Sequence, residues 1–110
     1  MSKHETEAAR QAALSTLRAG KRFLLVGHER PDGDCVGSQA GLARVLAVLG
    51  KEGLVVNPDA PAAPFAELVR SGPFATWSGE VPAHDVCVLL DFNELSRCGV
   101  MAPALAAAAS

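Results

Sequence analysis

The chain predicts an α/β domain built on a doubly wound parallel sheet, and three observations carry that expectation. Short, continuously apolar runs, "FLLV" at 23–26, "GLVV" at 53–56 and "VCVLLD" at 86–91, have the form of strands covered on both faces. The segments between them show helical spacing of apolar residues and end in glycine. Strand, helix, strand, helix, strand with right-handed crossovers leaves few topologies. Double winding puts the first strand between the other two, an order of 2-1-3 in the part present. The runs are too few to close a barrel.

Taken in order, Ser2 and Glu5 form a capping box, and Ala9, Ala13, Leu14 and Leu17 recur at helical spacing up to Gly20, which predicts a first helix over about 3–19. The strand "FLLV" follows. Leu42, Val45, Leu46 and Leu49 then fall at i, i+3, i+4 and i+7 with Gly50 behind them, so a second helix should bury that face. After "GLVV", the prolines of "NPDAPAAP" forbid regular structure until Pro64 can open a short helix with Phe65, Leu68 and Val69 as its apolar face and Gly72 as its end. "VCVLLD" is the third strand. The last stretch reads as a loop and a helix from Pro103 with little to bury.

Composition narrows the function. A chain of 110 residues is at most one domain, and alanine supplies 20 of the residues behind its 49 % hydrophobic content, so the core is modest. The net charge of −2 comes with scattered lysines and arginines, which excludes the basic stripe that grips a long nucleic acid. Cys35, Cys87 and Cys98 are odd in number and lack a C-x-x-C pair, arguing against a disulfide framework or a zinc ribbon. No signal peptide and no apolar run of membrane-spanning length is seen, so the expected location is cytoplasmic.

The chemistry is concentrated in "GHERPDGDCVGS", residues 27–38, where the first strand ends in His28, Asp32 and Asp34. In a 2-1-3 sheet the carboxyl ends of the first and third strands are neighbours, which brings Asp91 to the same crevice. Such acidic and imidazole groups repel one another unless protonated or neutralised by a cation, and this donor set suits Mn²⁺ or Mg²⁺, without excluding zinc or iron. Gly33 lets Asp32 and Asp34 address two ions separately; a two-metal site can polarise a phosphoryl oxygen and lower the pKa of a shared water. Helix amides near Gly37 and Ser38 are expected to receive a phosphate. "PDGD" alone is also an ordinary solvated turn; His28 and Asp91 are what favour the metal.

"GHERPDGDCVGS" and "VCVLLDFNELSRCG" together closely resemble the first two motifs of the DHH phosphoesterases. The nearest branch is that of the bifunctional oligoribonucleases and 3′-phosphoadenosine-5′-phosphate phosphatases, related to the RecJ-like exonucleases. The resemblance runs over about residues 22–99, and H-x-x-x-D-x-D is its specific part. It implies that His28 and Asp32 bind one Mn²⁺, Asp34 the other, and that Asp91 bridges or contacts both, with Mg²⁺ as the alternative ion. Arg97 resembles a recurring arginine of the second motif and is a candidate contact to a substrate phosphate.

The implied activity is that of a manganese-dependent phosphodiesterase or phosphatase acting on a short oligoribonucleotide, a dinucleotide or a nucleotide bisphosphate. No long duplex and no membrane is expected as a partner, and a homodimer is allowed. The Asp-His-His segment that names the family does not occur before Ser110. Residues 1–110 are therefore expected to be the amino-terminal part of a DHH catalytic domain, a truncated form inactive on its own. The competing hypothesis is a non-catalytic nucleotide- or metal-binding α/β module. A dinucleotide-binding oxidoreductase is disfavoured, because aspartates stand where a G-x-G-x-x-G loop would be needed. Trp77 with Phe74 is either a stacking platform for a base or a loop anchored to the core.

Overall fold

Residues 2–59, 63–90 and 94–108 are described in the computed structural model. The elements are α1 (Lys3–Ala19), β1 (Arg22–Val26), α2 (Gly33–Val48), β2 (Glu52–Asn57), α3 (Ala66–Ser71), β3 (Phe74–Thr76), β4 (Val86–Leu89) and α4 (Ala102–Ala108). Short 3₁₀ segments at Ala63–Phe65 and Leu95–Met101 lead into α3 and α4. The four strands form one parallel sheet in the order β3-β2-β1-β4. The three expected strands, β2, β1 and β4, stand in the expected 2-1-3 order, with β1 between the other two. No helix among the described residues is long and apolar enough to cross a membrane.

The winding follows from alternation along β1. Leu24 and Val26 point to one face, where they join Val56, Cys98, Met101 and Leu105. Phe23 and Leu25 point to the other, with Ala43, Leu46 and Val55. Both faces of the strand are thus closed by helices, α2 on one side and α4 with its preceding 3₁₀ segment on the other. Met101 and Leu105 are buried, so the alanine-rich end does have something to bury and serves as the second cover of the sheet.

Several elements differ from expectation, each for a physical reason. Strand β3 is absent from the periodicity because three residues behind Gly72 and Pro73 are too few to register; it joins the sheet through ladder pairing with β2. β4 stops at Leu89, although the Leu90 amide still donates to the Val26 carbonyl at 2.9 Å. In α2 the buried stripe is Cys35, Val36, Gln39, Ala43 and Leu46, while Val45 is 54 % and Leu49 62 % exposed. The helix carries apolar residues on two faces, and the strands seat the one containing Ala43, whose small side chain admits close approach. α1 has its capping box, with Glu5 N–H donating to Ser2 Oγ at 3.1 Å, but buries no residue; only Leu17 packs against the core. Cys87 is exposed, and Cys35 and Cys98 are buried.

At the amino end of the sheet, the Asp85 carboxylate accepts from the Lys21 amide at 3.0 Å and the Arg22 amide at 2.8 Å. These backbone bonds, that from Lys21 first, hold its carboxyl below the ordinary aspartate range. A depressed pKa contributes stability that is present above the unfolded value and lost as pH falls through the folded one. Asp85→Asn should therefore lower the melting temperature at neutral pH and converge with the parent as pH falls below the ordinary aspartate range, which flattens the acid limb of the profile. Leu46→Ala should cost about 2–5 kcal/mol, and Val45→Ser should stay within about 0.5 kcal/mol; equal losses in urea titrations would restore Val45 to the core.

Candidate functional site

Because all strands are parallel, their carboxyl ends share one rim, and the loop from Gly27 to Asp32 lies on it above the central strand. Leaving a strand buried on both faces, the chain must find partners for backbone groups that water cannot reach. It finds them in side chains from elsewhere. The Gly27 amide donates to Asn57 Oδ1 at 2.8 Å, and Gln39 Nε2 donates to the same oxygen at 2.6 Å. Asn57 Nδ2 returns a bond to Gln39 Oε1 at 3.1 Å. Both amide side chains are buried. Gly27 is required here, since a Cβ would stand inside the contact radii of Cys35 Sγ and Asn57 Oδ1.

The next residues are strapped in the same way. The Glu29 amide donates to the Arg97 carbonyl at 2.7 Å, and the Arg30 amide to Asp59 Oδ2 at 2.8 Å. Arg30 has φ of 50°, a left-handed conformation that a non-glycine residue adopts at a cost of order 1–3 kcal/mol. These straps fix His28, which is 7 % exposed and has Nδ1 2.7 Å from the Glu29 carbonyl. A carbonyl only accepts, so Nδ1 carries the proton. That is the arrangement in which an imidazole ligates a metal.

Asp32 is the N-cap of α2, its Oδ1 accepting from the Cys35 amide at 2.9 Å. Oδ2 is its second donor atom. Asp34 lies exposed in the first turn, where the positive end of the helix favours a carboxylate. His28, Asp32 and Asp34 thus occupy one strand-to-helix junction and supply one imidazole and two carboxylates, a set whose chemistry suits a hard or borderline divalent ion. Asp91, the fourth expected ligand, lies outside the described residues. Among the described residues no three His, Cys, Asp or Glu side chains converge into a closed site.

The amides of Gly37 and Ser38 stand deeper in α2 than expected. With Asp32 as the cap, the helix starts at Gly33, and the Val36 amide already bonds to the Asp32 carbonyl at 2.9 Å. The amides of Gly37 and Ser38 therefore lie in the second turn, inside the helical ladder; the first-turn amides are those of Gly33, Asp34 and Cys35. Gly37 and Ser38 instead share an exposed face with Asp34 at i+3 and i+4, with open space over Gly37. Arg97 is exposed beside the loop that its carbonyl helps to hold. Gln39, Asn57 and Asp59 hold the loop in place, and spacing did not single them out. The available signal was a polar residue, Asn57, closing an otherwise apolar strand as His28 closes the approach from β1.

Residues 22–109 match the family model described as DHH family, N-terminal domain. Over 87 residues the chain is 31 % identical to the bifunctional oligoribonuclease and PAP phosphatase NrnA of Mycoplasma pneumoniae, covering 77 % of this chain and 26 % of that protein. Its fold superposes on the crystal structure of an exopolyphosphatase-related protein from Bacteroides fragilis with a TM-score of 0.82 and 26 % identity, over 92 % of this chain and 32 % of that one. The chain thus spans about a quarter to a third of the length of these relatives.

The support under the loop makes a direct prediction. Gly27→Ala should destabilise the fold by about 1–3 kcal/mol through overpacking, and should displace the Asn57 and Gln39 amide resonances in an NMR spectrum. An unshifted urea midpoint would show that the contact is not as close as described.

Proposed function

The chain belongs to the DHH family, and on that premise we propose that the rim holding His28, Asp32 and Asp34 is the metal-binding part of a phosphoester-hydrolysing centre. The observation that carries this reading is the immobilised imidazole: His28 is buried at the carboxyl end of the central strand, its Nδ1 lies 2.7 Å from the Glu29 carbonyl, and Asp32 and Asp34 follow on the same junction. Asp32, Asp34 and Asp91 complete the proposed ligand set for Mn²⁺, or Mg²⁺ in its place. When bound, a pair of such ions supplies Lewis acidity at a phosphoryl oxygen and a water of lowered pKa.

The chain's own residues do the positioning. The Glu29 carbonyl holds the imidazole in one tautomer, and the cap on α2 fixes Asp32 through one oxygen while the other serves as ligand. Asp34 and Ser38 stand on one helical face, so a phosphate held near Asp34 by a cation is in reach of the Ser38 hydroxyl. The amino end of α2 and the Arg97 guanidinium add positive potential on the same rim. The substrate we assign is a short oligoribonucleotide, a dinucleotide or the 3′-phosphate of an adenosine bisphosphate. With no basic stripe to follow a backbone, a long duplex has little to hold it.

The test is hydrolysis of a ribodinucleotide and of 3′-phosphoadenosine 5′-phosphate in Mn²⁺ by the native gene product and its variants. Asp34→Ala and Asp91→Ala should each lower turnover by more than about 100-fold, the upper end of what losing even an outer partner of a metal site costs. Asp34 is exposed, so its variant should keep the parent melting temperature and show weakened Mn²⁺ binding by calorimetry. Turnover and Mn²⁺ affinity unchanged in both variants would refute the assignment.

A further inference from the structure

A second feature of the rim is not used by the metal ligands. Beyond Asn57, at the carboxyl ends of β2 and β3, lies a cavity of about 170 Å³ lined by Pro58, Asp59, Val69, Phe74, Thr76 and Trp77. For scale, an apolar cavity of roughly 150 Å³ holds a benzene ring. Its two aromatic walls are anchored from behind. Trp77 packs against the core cluster of Leu24, Val26 and Val56, and Phe74 against the cluster on the opposite face of the sheet. An aromatic side chain held in place at the edge of a cavity offers its face for stacking without an ordering cost at the moment of binding.

The polar groups define the rest of the ligand. Asp59 Oδ2 accepts from the Arg30 amide, while Oδ1 has no partner among the described residues. A carboxylate accepts and cannot donate, so it favours a ring with amino hydrogens on its edge and repels an anion. The Thr76 side chain, exposed at the mouth, supplies a hydroxyl. Through Arg30, Asp59 is tied to the loop two residues from His28 and two from Asp32. The cavity and the proposed ligands therefore border the same short segment.

We propose that this cavity binds the amino-bearing nucleobase of a nucleotide whose phosphate lies over His28, Asp32 and Asp34. The proposal rests on the phosphoesterase reading above and deepens it. A stacking pocket with a carboxylate at its edge selects nucleotides against inorganic polyphosphate, which has neither a ring nor an amino hydrogen to donate.

Trp77 is the single tryptophan, so its fluorescence reports on the cavity without any need for turnover. The native gene product, free of metal, is titrated with adenosine, with purine riboside, which lacks the amino group, and with inorganic tripolyphosphate. Adenosine should quench Trp77 saturably, purine riboside should bind about tenfold more weakly, and tripolyphosphate should neither quench nor compete. Thr76→Phe, an exposed position at the mouth, should weaken adenosine binding at least tenfold with the circular dichroism melt retained. Absence of saturable quenching by adenosine, or displacement of adenosine by tripolyphosphate, overturns the proposal. Equal binding of purine riboside overturns the role of Asp59. Dinucleotide hydrolysis without adenosine quenching would sink the pocket and leave the phosphoesterase reading standing; quenching without hydrolysis would do the reverse.

Discussion

The buried amide pair of Gln39 and Asn57 is the constraint on which the rim depends. One oxygen, Asn57 Oδ1, receives both the Gly27 amide and the Gln39 amide group, so a single acceptor joins the end of β1, the end of β2 and the second turn of α2. Each bond contributes about 0.5–1.5 kcal/mol net, but losing either partner would strand buried polar atoms at about 1–3 kcal/mol each. The asymmetry gives the junction its rigidity. It also explains why the backbone at Gly27 comes so near Cys35, leaving no space for a side chain.

Above that pair, the loop spends its backbone donors on three remote segments, through Asn57, Arg97 and Asp59. A loop held in this way can sustain the left-handed backbone of Arg30, which by itself would relax. Gly99, also left-handed, lets the segment after β4 pass against the Glu29 side chain, where a Cβ would collide. The position of His28 is therefore set by both strands that flank β1, as the parallel order requires.

Much of this was legible in the sequence where a single element states its own environment. Runs such as "FLLV" announce a strand buried on both sides, and the spacing of His28, Asp32 and Asp34 announces a polar loop that leaves that strand for a helix. What was not legible depends on packing between elements. The buried face of α2 is decided by which stripe lets the helix approach β1 and β2, and Ala43 with Gln39 wins over Val45 with Leu49. Gln39 reads as a surface residue on a helix until Asn57, 18 positions away, is placed opposite it. β3 exists because β2 offers a ladder, and three residues cannot show that alone. The Gly37 and Ser38 amides, expected near the open end of the helix, lie within its ladder for a related reason: the cap is Asp32, so the helix begins sooner than the polar stretch suggests.

The rim divides its chemistry by element. At the junction of β1 and α2, carboxylates are gathered at the positive end of a helix, an arrangement that concentrates negative charge where a cation can offset it and where phosphate is tolerated only in the cation's company. Toward β3, the surface turns apolar and aromatic, with the Asp59 carboxylate as the charged group among the described lining residues. A ligand satisfying both regions must be anionic at one end and flat, weakly polar and hydrogen-donating at the other. Arg30 links the two, its amide bonded to Asp59 and its chain neighbours running from His28 to Asp32.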